Sequence, residues 1–220
     1  MGKHTQNCTL IGKGVYGTIG VDQRSRLADG AHFQTSTLEA SVIEGDKLVI
    51  KSGIVRCDGD IRVSSISGSG DIEVGGDIIC DEITFTGKLR CNSDIVCSGN
   101  LSVNGSLGTR HISGQTVRLN GVLKGHDVNS RALEIHPLRS TMFSRFDMDG
   151  YEDGSMVRHI TAVTVEANHL QCRTLTADSA MLRNGSAVES ATCATAIGID
   201  RTSSVLLVNG DCQRIHLKTA

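Results

Sequence analysis

The sequence predicts an all-β fold: a parallel β-helix, or β-solenoid, of triangular cross-section with about six residues per face. Three observations predict it. The first is a beat: Gly59-Asp60-Ile61, Gly70-Asp71-Ile72, Gly76-Asp77-Ile78, Gly87-Lys88-Leu89, Ser93-Asp94-Ile95, Gly99-Asn100-Leu101 and Gly105-Ser106-Leu107 recur at about six-residue intervals, with two slipped steps. The second is alternation. In Ile72-Glu73-Val74, Leu89-Arg90-Cys91 and Leu101-Ser102-Val103 the first and third residues are apolar and the middle one polar. Strand side chains alternate faces, so the apolar pair points into a core and the middle residue outward. The third is composition: 25 Gly, 1 Pro, 3% aromatic residues and no Trp. A narrow coil built on Gly, Asn and Asp corners has room for Ile, Leu, Val and Cys but little for rings. Antiparallel hairpins are the alternative, but runs with two inward residues are shorter than the five or six usual in such sheets, on the order of half.

The chain divides into four parts. Residues 1–7 read as a polar tail. Residues 8–135 read as coils, loosely patterned at Ile19, Val21, Leu38 and Val42, and regular from Leu48-Val49-Ile50 onward to Val117-Arg118-Leu119 and Val122-Leu123. Residues 136–157 break the beat. They hold the only proline, three of the six aromatics and three of the five methionines. Pro137 suits the first turn of a short amphipathic helix, with Leu138, Met142 and Phe146 on one stripe and Phe143 beside it. Met- and Phe-rich faces adapt to partners, so Leu138, Met142, Phe143 and Phe146 are candidate docking residues. Residues 158–217 resume the coil pattern less strictly, at Val163-Thr164-Val165, Leu170-Gln171-Cys172 and Ile197-Gly198-Ile199.

The run Val205-Leu206-Leu207-Val208 is the densest aliphatic stretch near the C-terminus. A terminal coil exposes unpaired strand edges, which proteins cover or pair. Val205, Leu206, Leu207 and Val208 are therefore candidate polymer-contact residues. Alternation places Leu206 and Val208 on one face and Val205 and Leu207 on the other.

Other motifs carry no chemistry. None of the eight cysteines forms a C-x-x-C pair, and Cys80, Cys91 and Cys97 each take an inward position, where a free thiol behaves as a small hydrophobe. Cys80 and Cys97, seventeen positions apart, are expected to stack on neighbouring coils. The histidines form neither H-x-x-x-H nor H-E-x-x-H; His111, His126, His136, His159 and His169 read as exposed wall or corner residues. Asp58, Asp60, Asp71, Asp77, Asp81 and Asp94 suit turns, and the nonapeptide of calcium-binding β-rolls is missing. Gly12-Lys13-Gly14-Val15-Tyr16-Gly17 matches G-x-G-x-x-G, but no helical pattern follows it. No metal and no cofactor is expected. A net charge of −2 argues against nucleic acid as a partner. No apolar leader follows Met1-Gly2-Lys3-His4, and unpaired thiols suit a reducing cytoplasm.

The run from Val55-Arg56-Cys57-Asp58-Gly59-Asp60-Ile61-Arg62-Val63 through Gly68-Ser69-Gly70-Asp71-Ile72-Glu73-Val74-Gly75-Gly76-Asp77-Ile78 resembles the bactofilins, the bacterial polymer-forming cytoskeletal proteins. They share its small–Gly–Asp/Asn–Ile–x–Val rhythm. The segment Val163 to Ile215, ending in Asn209-Gly210-Asp211-Cys212, is similar to the weaker terminal coils of long members from Gram-positive bacteria. The resemblance is best over residues 45–125. It implies a right-handed triangular β-helix that polymerises end to end without nucleotide. The chain departs from a short family member in its greater length, in its interruption, and in lacking an apolar N-terminal peptide. The expected function is a cytoplasmic, non-enzymatic structural subunit. Its expected partner is itself, with cytoskeletal paralogues or membrane-associated proteins as further partners. The alternatives are a non-polymerising binding scaffold acting through residues 136–157, and a hexapeptide-repeat acyltransferase or carbonic-anhydrase-like enzyme. The last needs a histidine set that does not stand out here.

Overall fold

A computed structural model describes residues 8–11, 15–22, 31–33, 37–138 and 154–217. It is all-β, a parallel solenoid of about 10 turns, with no helix among the described residues. The first strands are β1 (Cys8–Ile11), β2 (Val15–Asp22), β3 (Ala31–Phe33) and β4 (Thr37–Ala40). Val15 onward is thus strand, where a dinucleotide fingerprint calls for a helix. The regular coils follow as β5 (Ile43–Ser52), β6 (Ile54–Cys57), β7 (Ile61–Val74), β8 (Ile78–Cys80), β9 (Glu82–Cys91), β10 (Asp94–Cys97), β11 (Asn100–Gly108) and β12 (His111–His136). Beyond the interruption come β13 (Ser155–Asn168), β14 (Leu170–Arg183), β15 (Ala187–Ile199), β16 (Ser204–Asn209) and β17 (Gln213–His216).

Each strand pairs in parallel with the one a coil away, so residues of one type form columns. Ile61, Ile78, Ile95 and Ile112 stack in register. Ile66, Ile83, Leu101 and Val117 form a second column, and Ile72, Leu89, Leu107 and Leu123 a third. All twelve are buried. These three columns are the core, one from each face, and burying each side chain contributes about 1.5–3 kcal/mol. Cys80 pairs in register with Cys97, as the coil length implies.

One corner limits how closely the coils approach. Gly53, Gly70, Gly87, Gly105 and Gly121 stack there with φ from 131° to 144°, a range closed to residues with a Cβ. A Cβ on Gly87 would lie 2.0 Å from the Gly70 carbonyl oxygen, and one on Gly105 2.1 Å from that of Gly87. Beside the column the Asn120 amide donates to the Asn104 Oδ1 at 2.6 Å.

A second corner is tied by aspartates. The Asp77 N–H donates to Asp60 Oδ1 at 2.9 Å and the Asp94 N–H to Asp77 Oδ1 at 3.2 Å. The first of these bonds, with help from Arg62, holds the Asp60 carboxyl below its usual range. His111 continues the ladder, with Nδ1 2.7 Å from Asp94 and Nε2 2.8 Å from Asp127. It is therefore a tied corner residue, not a free wall histidine.

The interruption leaves the stack in register. Strand β12 runs to His136, and β13 resumes at Ser155, earlier than the beat suggests because Met156 and Val157 pair with Lys124 and Gly125. The Ser155 hydroxyl, thirty-two residues along the chain from Leu123, accepts the Leu123 N–H at 3.0 Å. Beyond this point a polar column replaces glycine: Asn184 donates to Asn168 at 2.6 Å, and Asn168 donates to the Ile135 carbonyl at 3.0 Å. Pro137 and Leu138 belong to no strand.

The glycine corner yields a first prediction. Gly87→Ala should cost ~3 kcal/mol or more, from strain and backbone collision. Gly108→Ala, whose Cβ would meet nothing closer than Arg90 Cγ at 4.0 Å, should be neutral or stabilising by up to ~1 kcal/mol. Chemical denaturation of the two variants reads the contrast. A second concerns thiols. Cys80, Cys91, Cys97 and Cys172 are buried. Burial pushes Cys172 up to about 12, and the contact with Cys97, together with burial, raises Cys80. Peptide mapping after alkylation of the native protein should find these four unmodified and Cys212, which is partly exposed, modified first among the described thiols.

Candidate assembly interface at the last coil

The last coil consists of β16 and β17, each paired on one side with β15. Among the described residues no strand pairs with their other edges. Val205 stacks on Val188 and Val208 on Ala191, both buried. Val205, Val208 and Cys212 are only partly buried against the core, since no described coil covers them.

Leu206 and Leu207 both point outward, 83% and 55% exposed. This corrects the alternation expected for the run. The chain turns a corner between the two valines, and the same corner below takes two outward residues in each coil. Val157, Arg158, His159 and Ile160 run inward, outward, outward, inward; so do Cys172, Arg173, Thr174 and Leu175, and Val188, Glu189, Ser190 and Ala191. The lower coils put charged or polar residues in the two outward places: Arg173 lies 3.6 Å from Glu189, and His159 Nδ1 2.6 Å from Thr174 Oγ1. Only the last of these four coils puts two leucines there. Leu206 also lines a hollow of about 460 Å³ with Met156, itself exposed.

Asp200 holds the turn that launches β16. Its carboxylate accepts N–H bonds from Asn184 at 2.8 Å, Ser203 at 2.9 Å and Thr202 at 3.1 Å. Burial pushes its pKa upward, but those donors outweigh it and hold the carboxyl at about 2 rather than 3.8. The 16-residue steps from Asn168 to Asn184 and on to Asp200 mark one coil each. That spacing is visible in the sequence once the coil length is known, and sequence reasoning passed over it. The Ser186 hydroxyl likewise accepts the Leu170 N–H at 3.2 Å.

Of the candidate docking residues, Leu138 is 5% exposed and its side chain sits over Gly121, 2.7 Å from where a Cβ would stand. Its side chain is buried against the solenoid and not exposed on a stripe. Met142, Phe143 and Phe146 lie outside the described residues. Among the described residues no group of three or more His, Cys, Asp and Glu is placed to hold a metal, and no helix is long and apolar enough to cross a membrane.

The lowered Asp200 carboxyl stabilises the fold above its ordinary titration range, and that stability is lost as pH falls from about 4 through about 2. Asp200→Asn should lower stability at neutral pH and flatten the acid limb of the stability curve by up to one proton. Denaturant titrations between pH 2 and 5, on the order of six points, check this. The chain matches no protein-family model, and no curated protein or solved structure matches it.

Proposed function

We propose that the chain is a structural subunit that assembles end to end with copies of itself, without nucleotide, into a filamentous scaffold of the bactofilin kind. One observation carries the reading. The terminal coil exposes Leu206 and Leu207 at a corner where the coils beneath carry Arg158 and His159, Arg173 and Thr174, and Glu189 and Ser190. Among the described residues nothing pairs with the outer strand edges of that coil, and Val205 and Val208 are half-covered. Stacking a second copy on this end pairs the edges, covers Val205 and Val208 and sets the outward leucines beside the wall of the added coil; open edges template such pairing. The partner is another copy of the chain, the setting a reducing cytoplasm, and no catalytic step is involved.

Leu206→Arg and Leu207→Arg should both fold, since neither side chain is in the core, and both should shorten or abolish assemblies in negative-stain images and light scattering. Val208→Arg should instead disorder the last coil, because it buries a charge against Ala191. ATP or GTP should change nothing. A monodisperse wild-type monomer at high concentration, or normal filaments from both leucine variants, would overturn the reading.

A further inference from the structure

The wall of the solenoid carries a second feature, remote from the last coil. Its outward residues form a grid. One column runs Asp71, Lys88, Ser106, Val122; the other runs Glu73, Arg90, Gly108, Lys124. Successive rows are thus a pair of carboxylates, a pair of cations, a pair of small residues, and an apolar residue beside a cation. The small row leaves a hollow of about 360 Å³. Its floor is Ser106 and Gly108, with Lys88 and Arg90 on one side and Lys124 and the buried Val122 on the other; Asp71 and Glu73 line it too, one row beyond Lys88 and Arg90.

Gly108 is not required by the backbone. Its φ is not in the left-handed region, and a Cβ there has open space. It differs in this from Gly87 and Gly105, which the corner demands. A glycine within a strand costs roughly 0.5–1 kcal/mol relative to alanine, and it often marks a bulge, a bend or a place where a ligand or another backbone approaches closely. Gly108 closes its strand, and its missing side chain leaves the hollow open. The cations around it are available: Lys88 and Lys124 have no carboxylate within ion-pair distance among the described residues, and Arg90 has only Glu73 at 3.9 Å. The flanking rows are two strand spacings apart, about 9.6 Å. A phosphate brings more negative charge and more acceptor oxygens than a carboxylate, so it can engage Lys88, Arg90 and Lys124 together.

We propose that this hollow binds a phosphate group, carried either by a small soluble molecule or by a lipid headgroup. Arg90 and Lys88 hold it from one side and Lys124 from the other, with the Ser106 hydroxyl as a further donor. The charges and the open floor set the site; no part of it depends on assembly at the last coil.

The test uses the full chain, with inorganic phosphate as probe in phosphorus NMR and calorimetric titrations at fixed ionic strength, and acetate as the control anion. Phosphate should bind and acetate should not. Gly108→Leu, which fills the hollow without altering charge, should weaken binding about tenfold or more. Lys88→Gln and Lys124→Gln should each weaken it roughly two- to fivefold. Lys47→Gln, on another face, should leave it unchanged. If Gly108→Leu fails to fold by circular dichroism, the Lys88→Gln, Lys124→Gln double variant, which alters no inward residue, carries the test. Vesicles containing phosphatidylglycerol distinguish the sources. Co-sedimentation lost in the hollow variants assigns a lipid headgroup; phosphate binding without co-sedimentation assigns a soluble phosphorylated molecule. Absence of phosphate binding, equal binding of acetate, or binding untouched by every hollow variant overturns the proposal. Light scattering of the same variants should match wild type, so failure here and failure of end-to-end assembly are read separately.

Discussion

Everything in this molecule depends on coils lying in register at one strand spacing. The ladder of parallel backbone hydrogen bonds sets that spacing at about 4.8 Å. The glycine corner is where it is most tightly enforced, because a Cβ on Gly87 or Gly105 would collide with the carbonyl oxygen beneath it, at 2.0 and 2.1 Å. Once the coils are in register, many inward and corner residues find their own kind above and below. Isoleucine stacks on isoleucine, Cys97 on Cys80, and asparagine on asparagine. Polar corner groups then satisfy the backbone of the next coil, as Asp60 does for Asp77 and Ser186 for Leu170. The outward wall follows the same rule with charge: Glu39, Arg56, Glu73 and Arg90 alternate in sign along one column, at 3.4 to 3.9 Å. Exposed pairs of this sort contribute little singly, about 0–1 kcal/mol, so the column tunes register more than stability.

Most of the coil architecture is readable from the chain. Ile72 and Val74, or Leu89 and Cys91, announce an inward pair because a strand has period two, and the Gly-Asp steps announce corners. Seventeen residues between Cys80 and Cys97 are enough to place them one above the other. The alternation rule fails where strands bend. At the corner of Val205 to Val208 the backbone changes face between Leu206 and Leu207, so two neighbours point outward, and only comparison with Val157 to Ile160, Cys172 to Leu175 and Val188 to Ala191 reveals it. The corner position of His111 is legible, but its partners are not: Asp94 and Asp127 are 17 and 16 residues away, and no local motif joins them. Leu138 looks like one end of an exposed stripe, yet it closes over a glycine whose missing side chain makes room for it.

The candidate last-coil contact and the Gly108 hollow arise from opposite departures from the repeat. At the end of the stack, two large apolar residues stand where polar ones stood in the coils below. On the wall, a small residue stands where long charged ones stood. In a structure whose neighbours otherwise match, such local breaks of pattern are where a binding role is most visible, since the fold itself gains nothing from them.

The constant coil length also governs how the protein forms. Ladder partners in the regular coils are 15 to 18 residues apart, a separation of roughly 0.08 of the chain, which is the range of helical bundles and not of β-sandwiches. Parallel sheets usually fold slowly because distant segments must meet first; here each coil has only its predecessor to find. The chain can grow as a zipper from any well-formed coil, and its stability is a sum of nearest-neighbour terms. The long links are the twenty-nine-residue steps from Cys8 to Thr37 and from Val15 to Glu44, and the thirty-two-residue step between Leu123 and Ser155. Doubling a loop adds only about 0.6 kcal/mol of closure entropy, less than a single buried isoleucine returns. The excursion after Leu138 therefore lengthens one link of the zipper without dividing it.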